Sequence, residues 1–261
     1  MIMGTFEFNG EKYKKASRHQ KEWGNKLISE LSLNGTEYIL DLGCGDGSLT
    51  EQLSRLVPNG SVLGVDASVG MLETAQKLAK DNLKFAHMDI NSMNFENEFD
   101  VIVSNAALHW VKDHEKLLKN SYNALKPGGM VLWNFAGDGT CSNFYEVIKD
   151  KMKKDKYKDF FNDFEWPWYM PTKSEYEKLV ENSGFSKITI EEENADRYFA
   201  NDEEMIRWIE QPSIVPFIKL LPDKLKDEFQ QEVIDEMIAG TEQPDGTCFE
   251  TFRRIKVSAI K

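Results

Sequence analysis

From Tyr38 to Phe135 the chain alternates short apolar runs with helix-patterned segments, and this rhythm constrains the fold more than any other feature of its 261 residues. Tyr38-Ile39-Leu40 leads into Asp41-Leu42-Gly43, and Ser61-Val62-Leu63-Gly64-Val65 ends at Asp66. Further strand-like runs follow at 83–86, 99–104 and 130–135. Between them, Ser48–Leu56 sets Leu49, Leu53 and Leu56 at helical spacing, and 71–80 and 114–125 also read as helices, the last stopped by Pro127 and Gly128. The run at 99–104 is apolar on both faces, as a central strand of a covered sheet must be. Strands separated by single helices predict a parallel, doubly wound sheet.

After Phe135 the rhythm breaks. A lysine-bearing helix is expected at 143–156, an aromatic, proline-punctuated loop at 164–171, a helix at 174–182 ended by Gly184, and a strand at 187–190. Three short helices are expected between 200 and 240, broken near Pro212, Pro216 and Pro222, and a last strand at 252–260. The expected class is therefore α/β: a doubly wound, mostly parallel seven-stranded sheet, helices on both faces, and a helical lid inserted before the last strand. We read 1–261 as one domain, with 36–135 as its ligand-binding core and 1–30 and 196–249 as helical lid or substrate elements. A lid at that place would cover the carboxyl ends of the strands, where open α/β sheets bind ligands.

Composition narrows the partners. Lys and Arg total 32 against 44 Asp and Glu, a net charge of −12, which opposes binding to a phosphate backbone, so no nucleic-acid partner is expected. No apolar run is long enough to cross a bilayer, and the first twenty residues lack the apolar stretch of a signal peptide. Cys44, Cys141 and Cys248 are too few for a disulfide framework or a four-cysteine zinc site, and His19, His87, His109 and His114 show no ligand spacing, so no metal is expected. These features fit a cytoplasmic protein acting on a small molecule; no pattern specifies an oligomeric state.

The sharpest motif is the turn Asp41-Leu42-Gly43-Cys44-Gly45-Asp46-Gly47-Ser48, which follows a strand and opens a helix. Glycines there let the turn be tight and let a ligand approach the backbone. A dinucleotide fingerprint spaces its glycines G-x-G-x-x-G around a pyrophosphate. Here the third glycine comes one residue early, and Asp41 stands two residues before the first. An acid there repels a pyrophosphate and attracts an ammonium or sulfonium group. Asp66, twenty-one residues after Gly45, could accept both hydroxyls of a ribose. Met71 could lie on an adenine face or be plain core. Asp89 could accept from the adenine amino group and the Ile90 N–H could donate to a ring nitrogen, although Asp89 also reads as an ordinary loop acid. His109 could serve as general base for a hydroxyl acceptor, or simply pack at the strand end.

The runs DLGCGDG, VDAS, HMDI, FDVIVSNAALHW and LKPGGMVLW, in this order and at these spacings, resemble the successive motifs of S-adenosylmethionine-dependent methyltransferases with the Rossmann-like fold. The resemblance implies S-adenosylmethionine as cofactor and S-adenosylhomocysteine as product. It implies that Asp41, Gly43 and Gly45 line the methionine part, that Asp66 holds the ribose, that Asp89 with Ile90 serves the adenine, and that Asn105 and Ala106 sit beside the sulfonium; Ala67 and Met71 are further expected cofactor-binding residues. A narrower resemblance is to the trans-aconitate and juvenile hormone acid methyltransferase groups, which methylate carboxylates of small molecules. It rests on Tyr13 and Gln20 in YKKASRHQ, on Leu108-His109-Trp110-Val111, and on LPDKLKDEF ahead of the last strand. By that likeness Tyr13, Gln20 and Trp110 would contact the acceptor, with Arg207 a further candidate. Malonyl-carrier-protein methyltransferases share some of these features, so a carrier-bound acid, a hydroxyl, a carbon atom or RNA remain alternative acceptors, and a nicotinamide-dependent oxidoreductase is the rival of a different class.

Overall fold

The computed structural model describes residues 18–261. Helix α1 (Arg18–Ser29) is followed by β1 (Tyr38–Leu42), α2 (Ser48–Leu56), β2 (Ser61–Asp66), α3 (Val69–Ala75), β3 (Leu83–His87), β4 (Phe99–Asn105), α4 (His114–Ala124) and β5 (Leu125–Ala136). Then come α5 (Ser142–Met152), α6 (Lys173–Glu181), β6 (Ser186–Asn194), β7 (Arg197–Phe199), α7 (Asp202–Trp208), α8 (Val215–Ile218), α9 (Asp223–Thr241), β8 (Cys248–Glu250) and β9 (Arg253–Ile260). The chain divides into two compact units: Met1–Asp138 with Trp168–Glu193 and Arg254–Lys261, and Gly139–Pro167 with Asn194–Arg253.

The first unit holds the main sheet, in the order β3-β2-β1-β4-β5-β9-β6. β1, β2, β3, β4 and β5 pair in parallel, and β9 runs antiparallel to β5. The expected seven-stranded, mostly parallel sheet is therefore present. Alternation along the strands divides the core. Ile39, Val101 and Val103 pack with Leu53, Val57, Leu72 and Phe85, while Leu40, Leu42 and Ile102 pack with Leu117, Leu118 and Trp133. Successive side chains point to opposite faces of a strand, so two apolar faces demand helices on both sides. From β1 the chain goes to β2 on one side and later reaches β4 on the other. The carboxyl ends of β1 and β4 thus form the topological switch point at which such sheets open a crevice.

The second unit is built on an aromatic core. Phe144, Phe199, Phe217 and Phe229 are fully buried and Trp208 nearly so. Phe144 meets both Trp208 and Phe217 edge-on, with ring centroids 5.7 and 6.2 Å apart. Fully buried Glu250 substitutes for a helix cap: Cys141 precedes α5 with φ 53 and provides no side-chain cap, and Glu250 Oε1 and Oε2 accept instead from the Asn143 and Phe144 N–H groups. These bonds satisfy donors that an isolated helix leaves unpaired. Burial pushes the Glu250 carboxyl above its ordinary range, and the backbone N–H bonds draw it back in part.

Several boundaries differ from expectation for local reasons. The helix expected over 71–80 starts at Val69, because the Ser68 hydroxyl accepts from the Met71 N–H, and after Ala75 it tightens into a 3-10 turn, Gln76–Leu78. The stretch 200–240 holds the three expected helices, α7, α8 and α9, but the last is long, 19 residues, starting after Pro222 at its N-cap. Strand β5 begins at Leu125, pairing with Phe99, before the expected start at 130. The two-stranded antiparallel sheet of β7 and β8 had no sequence signal, since each strand has only three residues and three α-helices separate them in the chain.

Leu53 is fully buried in α2 and Leu56 is 46% exposed. Leu53→Ala is expected to lower the unfolding free energy by about 2–5 kcal/mol through transfer and cavity terms, and Leu56→Ala by about 0.5 kcal/mol or less. Urea denaturation checks both, and equal losses would contradict the core placement.

Candidate active site

The turn after β1 is held by two constraints. Gly43 has φ +73, and a Cβ built on it would lie 2.2 Å from the Ala107 Cβ, so no side chain fits. The N–H groups of Gly43 and Cys44 both donate to the Val65 carbonyl, at 2.8 and 3.0 Å, hooking the turn onto the end of β2. Gly45 differs: a Cβ there meets nothing within 4 Å, and its N–H donates to Asp66 Oδ2 at 2.9 Å. Asp66 Oδ1 accepts from the Ser68 N–H at 2.8 Å. One carboxylate thus fixes both its own loop and the glycine turn.

Asp41 is buried, and its Oδ2 accepts from the Thr50 hydroxyl at 2.8 Å. Burial pushes its pKa up to about 7; Thr50 pulls it back and the nearby Asp66 charge pushes it further up. Cys44 is held as a neutral thiol by burial and by the same acids. It is a packing residue rather than a nucleophile.

At the end of β4, the Asn105 Nδ2 donates to the Gln20 carbonyl at 2.8 Å. Ala106 sits in the left-handed region with φ 57, and its N–H donates to the Asn134 carbonyl at 2.7 Å. A non-glycine residue held in that region is strained, and such strain concentrates where the surroundings over-determine it. Next comes a 3-10 turn, Leu108–Trp110. The Tyr169 N–H donates to the His109 carbonyl at 2.8 Å, and the Trp110 and Trp168 rings lie 5.3 Å apart. Burial, together with the charge of Arg254, pulls the His109 pKa down to about 3, and its Nδ1 is buried without a hydrogen-bond partner.

These ends of β1 and β4 border a small open cleft lined by Gln20, Lys21, Asp41, Gly43, Gly45, Asp46 and Asn105 among others. Three side-chain oxygens of its lining residues are buried without a hydrogen-bond partner: Gln20 Oε1, Asp46 Oδ2 and Asn105 Oδ1. Buried acceptors left unmatched are costly. A ligand carrying N–H donors and positive charge fits them, with two acids close by.

The sequence candidates are distributed as follows. Asp41, Gly43, Gly45, Gln20 and Asn105 all line the cleft. Asp66 and Ala67 follow β2, where the Ala67 carbonyl accepts from His87 Nε2 at 3.0 Å. Met71 is buried in α3. Exposed Asp89 accepts from the Asn91 N–H at 2.9 Å and so caps a turn that begins with buried Ile90. Arg207 lies on α7 in the second unit, 3.6 Å from Glu203, and is not among the residues lining this cleft. Tyr13 falls outside the described residues. Sequence reasoning missed Asp46, Thr50 and His114. Asp46 stands in plain view inside the turn, but nothing in its spacing tells that one oxygen would be buried. Among the described residues, no group of three or more His, Cys, Asp or Glu is arranged to hold a metal ion, and no helix is long and apolar enough to cross a membrane.

Residues 39–129 match the methyltransferase-domain family. That stretch is a methyltransferase domain of the S-adenosylmethionine-dependent kind. The chain is 26% identical over 242 residues to trans-aconitate 2-methyltransferase of Mycobacterium tuberculosis, covering 92% of this chain and 91% of that enzyme. It is 31% identical over 158 residues to malonyl-[acyl-carrier protein] O-methyltransferase of Priestia megaterium, covering 59% of this chain and 58% of the relative. Phosphoethanolamine N-methyltransferase 2 of Haemonchus contortus, solved in complex with S-adenosyl-L-methionine, shares the fold with a TM-score of 0.61 at 21% identity, over 97% of this chain and 56% of that one.

The position of Asp41 has a consequence for stability against pH. Its native pKa of about 7 lies above the ordinary 3.8, so the folded chain holds this proton more tightly than the unfolded chain. Its contribution to stability is full below pH 3.8 and is lost as pH rises through about 7. Asp41→Asn is expected to flatten that part of the stability curve. Urea denaturation at a series of pH values checks it; identical slopes in the two proteins would sink the assignment.

Proposed function

We propose that this methyltransferase esterifies a carboxylate oxygen of a small or carrier-bound acid. The observation that carries the cofactor side of the reading is the cleft itself: three partnerless buried oxygens and two nearby acids, around a glycine turn with open space at Gly45. That donor-hungry, acidic surface suits the ammonium and sulfonium end of S-adenosylmethionine. In this reading Asp41, Gly43, Gly45, Asn105 and Ala106 take the methionine part. Asp66 and Ala67 take the ribose, and Met71, Asp89 and Ile90 the adenine.

Bound S-adenosylmethionine supplies a methyl group already activated on a sulfonium. What remains for the chain is to bring the acceptor oxygen to within ~3–3.5 Å of the methyl carbon and to exclude water. The paired rings of Trp110 and Trp168 supply an apolar wall, and removing water from a carboxylate raises its nucleophilicity. Gln20 and Trp110 are the proposed acceptor contacts, with Tyr13 and Arg207 further candidates. A carboxylate is ionised at neutral pH and needs no base. His109, with a pKa of about 3, is too weak a base to deprotonate a hydroxyl acceptor efficiently. The names of two relatives, a trans-aconitate and a malonyl-carrier-protein methyltransferase, support the acid reading. The net charge of −12 and free Cys44, Cys141 and Cys248 fit a small acceptor and a reducing cytoplasm.

The decisive experiment is a coupled homocysteine-release assay over di- and tricarboxylates, fatty acids, acyl-carrier thioesters and phenols. Turnover of an acid, with phenols inert, is expected; turnover of phenols alone would overturn the reading. His109→Gln is expected to keep kcat within about tenfold for a carboxylate, since a lost general base costs about 10²–10⁴-fold. By calorimetry, Asp66→Ala is expected to weaken S-adenosylhomocysteine binding by about 1 kcal/mol or more, the scale of lost hydrogen bonds to a charged group. Nicotinamide dinucleotides should leave the melting temperature unmoved while S-adenosylhomocysteine raises it.

A further inference from the structure

The turn that carries His109 and Trp110 has no long element behind it: Leu108–Trp110 is a single 3-10 turn between β4 and α4. What holds it is a side chain at the first position of α4. His114 is 2% exposed. Its Nε2 lies 2.9 Å from the Leu108 carbonyl, and its Nδ1 lies 2.9 Å from the Tyr176 hydroxyl on α6. A carbonyl can only accept, so Nε2 carries the proton; Nδ1 then accepts from the Tyr176 O–H. Burial pulls the His114 pKa down to about 4, which keeps the ring neutral and this tautomer fixed at neutral pH. The imidazole is also packed on aromatic rings, 4.6 Å from Tyr169, 5.5 Å from Phe135 and 5.4 Å from Tyr176. Tyr169 in turn donates its N–H to the His109 carbonyl, and its neighbour Trp168 faces Trp110. One buried imidazole therefore touches the turn, the segment that pairs with the turn, and the helix behind both.

We propose that His114 is a positioning residue of the methyl-transfer site: in its Nε2–H form it ties the Leu108 carbonyl to the Tyr176 hydroxyl and thereby sets where Trp110 meets the acceptor. The proposal rests on the reading that Trp110 lines the acceptor. His114 bonds the Leu108 carbonyl and the Tyr176 hydroxyl, and none of these three residues lines the cleft beside the glycine turn that holds S-adenosylmethionine in that reading. The signature is thus a split between the two substrates. Acceptor parameters move and cofactor affinity does not.

The test uses the full chain with trans-aconitate as first probe, or with whichever acid the homocysteine assay selects. His114→Phe keeps an aromatic ring and removes both bonds; Tyr176→Phe removes one hydroxyl; His114→Gln restores a donor and an acceptor. His114→Phe is expected to raise the acceptor KM or lower kcat at least tenfold, with S-adenosylhomocysteine affinity within twofold of the parent. Tyr176→Phe should move the same parameter in the same direction, and His114→Gln should recover most of the loss. If His114→Phe does not fold, Tyr176→Phe carries the comparison. Parallel loss of cofactor affinity, or unchanged acceptor kinetics in both variants, overturns the proposal. Nitrogen-15 NMR of the histidine rings gives a readout without turnover: a neutral Nε2–H signal is expected in the parent, and in Tyr176→Phe the same tautomer with a shifted Nδ1 resonance, since only the bond to Nδ1 is lost; an Nδ1–H tautomer or an imidazolium at neutral pH in the parent, or an unmoved Nδ1 resonance in Tyr176→Phe, overturns it. A parent that binds S-adenosylhomocysteine yet methylates no acid defeats the carboxylate reading alone, and the tautomer measurement still decides the clamp.

Discussion

The close approach of Gly43 to Ala107 governs the site. With 2.2 Å between a built Cβ and the Ala107 Cβ, the turn after β1 and the segment after β4 can meet only if one of them has no side chain. That meeting brings two loops separated by more than sixty positions of sequence to the switch point of the sheet. The bonds from Gly43 and Cys44 to Val65 and from Gly45 to Asp66 then carry the constraint across to β2. Three strand ends are locked by this packing, by backbone bonds and by the Asp66 carboxylate, while Gln20 Oε1, Asp46 Oδ2 and Asn105 Oδ1 are left without a protein partner.

Electrostatics follows from the same geometry. Burial raises the Asp41 pKa, and locking Asp66 beside the turn adds a smaller push in the same direction. A buried carboxylate is costly, and a proton on Asp41 relieves that cost. A cation in the cleft relieves it differently. Stability of the empty protein and affinity for a positively charged ligand are therefore opposed at this one carboxyl, the arrangement expected where binding matters more than folding.

The two histidines near the end of β4 show how neighbours assign roles. Both are held neutral, His109 with its Nδ1 unmatched and His114 with both nitrogens bonded. The residue with both bonds made is fixed and supports its surroundings; the other is buried with one nitrogen unmatched. In the second unit, Glu250 shows a comparable device, a buried acid that spends its hydrogen-bonding capacity on the first turn of α5.

The core of the fold was legible because its physics is local. Period-two apolar runs, caps and glycine positions from Tyr38 to Phe135 specify parallel strands with intervening helices, and Asp41, Gly43, Gly45 and Asp66 stand in motifs short enough to read. The three-residue strands β7 and β8 and the unbroken length of α9 were not legible, because two strands that short carry no period and their pairing partners lie about fifty residues apart in sequence. Sequence alone thus fixed the order of elements and the acid-bearing turn, since both depend on neighbours a few residues away. Only the tertiary structure decided which oxygens are buried without partners, which proton Asp41 keeps and which nitrogen of His114 carries hydrogen, because burial and long-range contacts are properties of the folded whole.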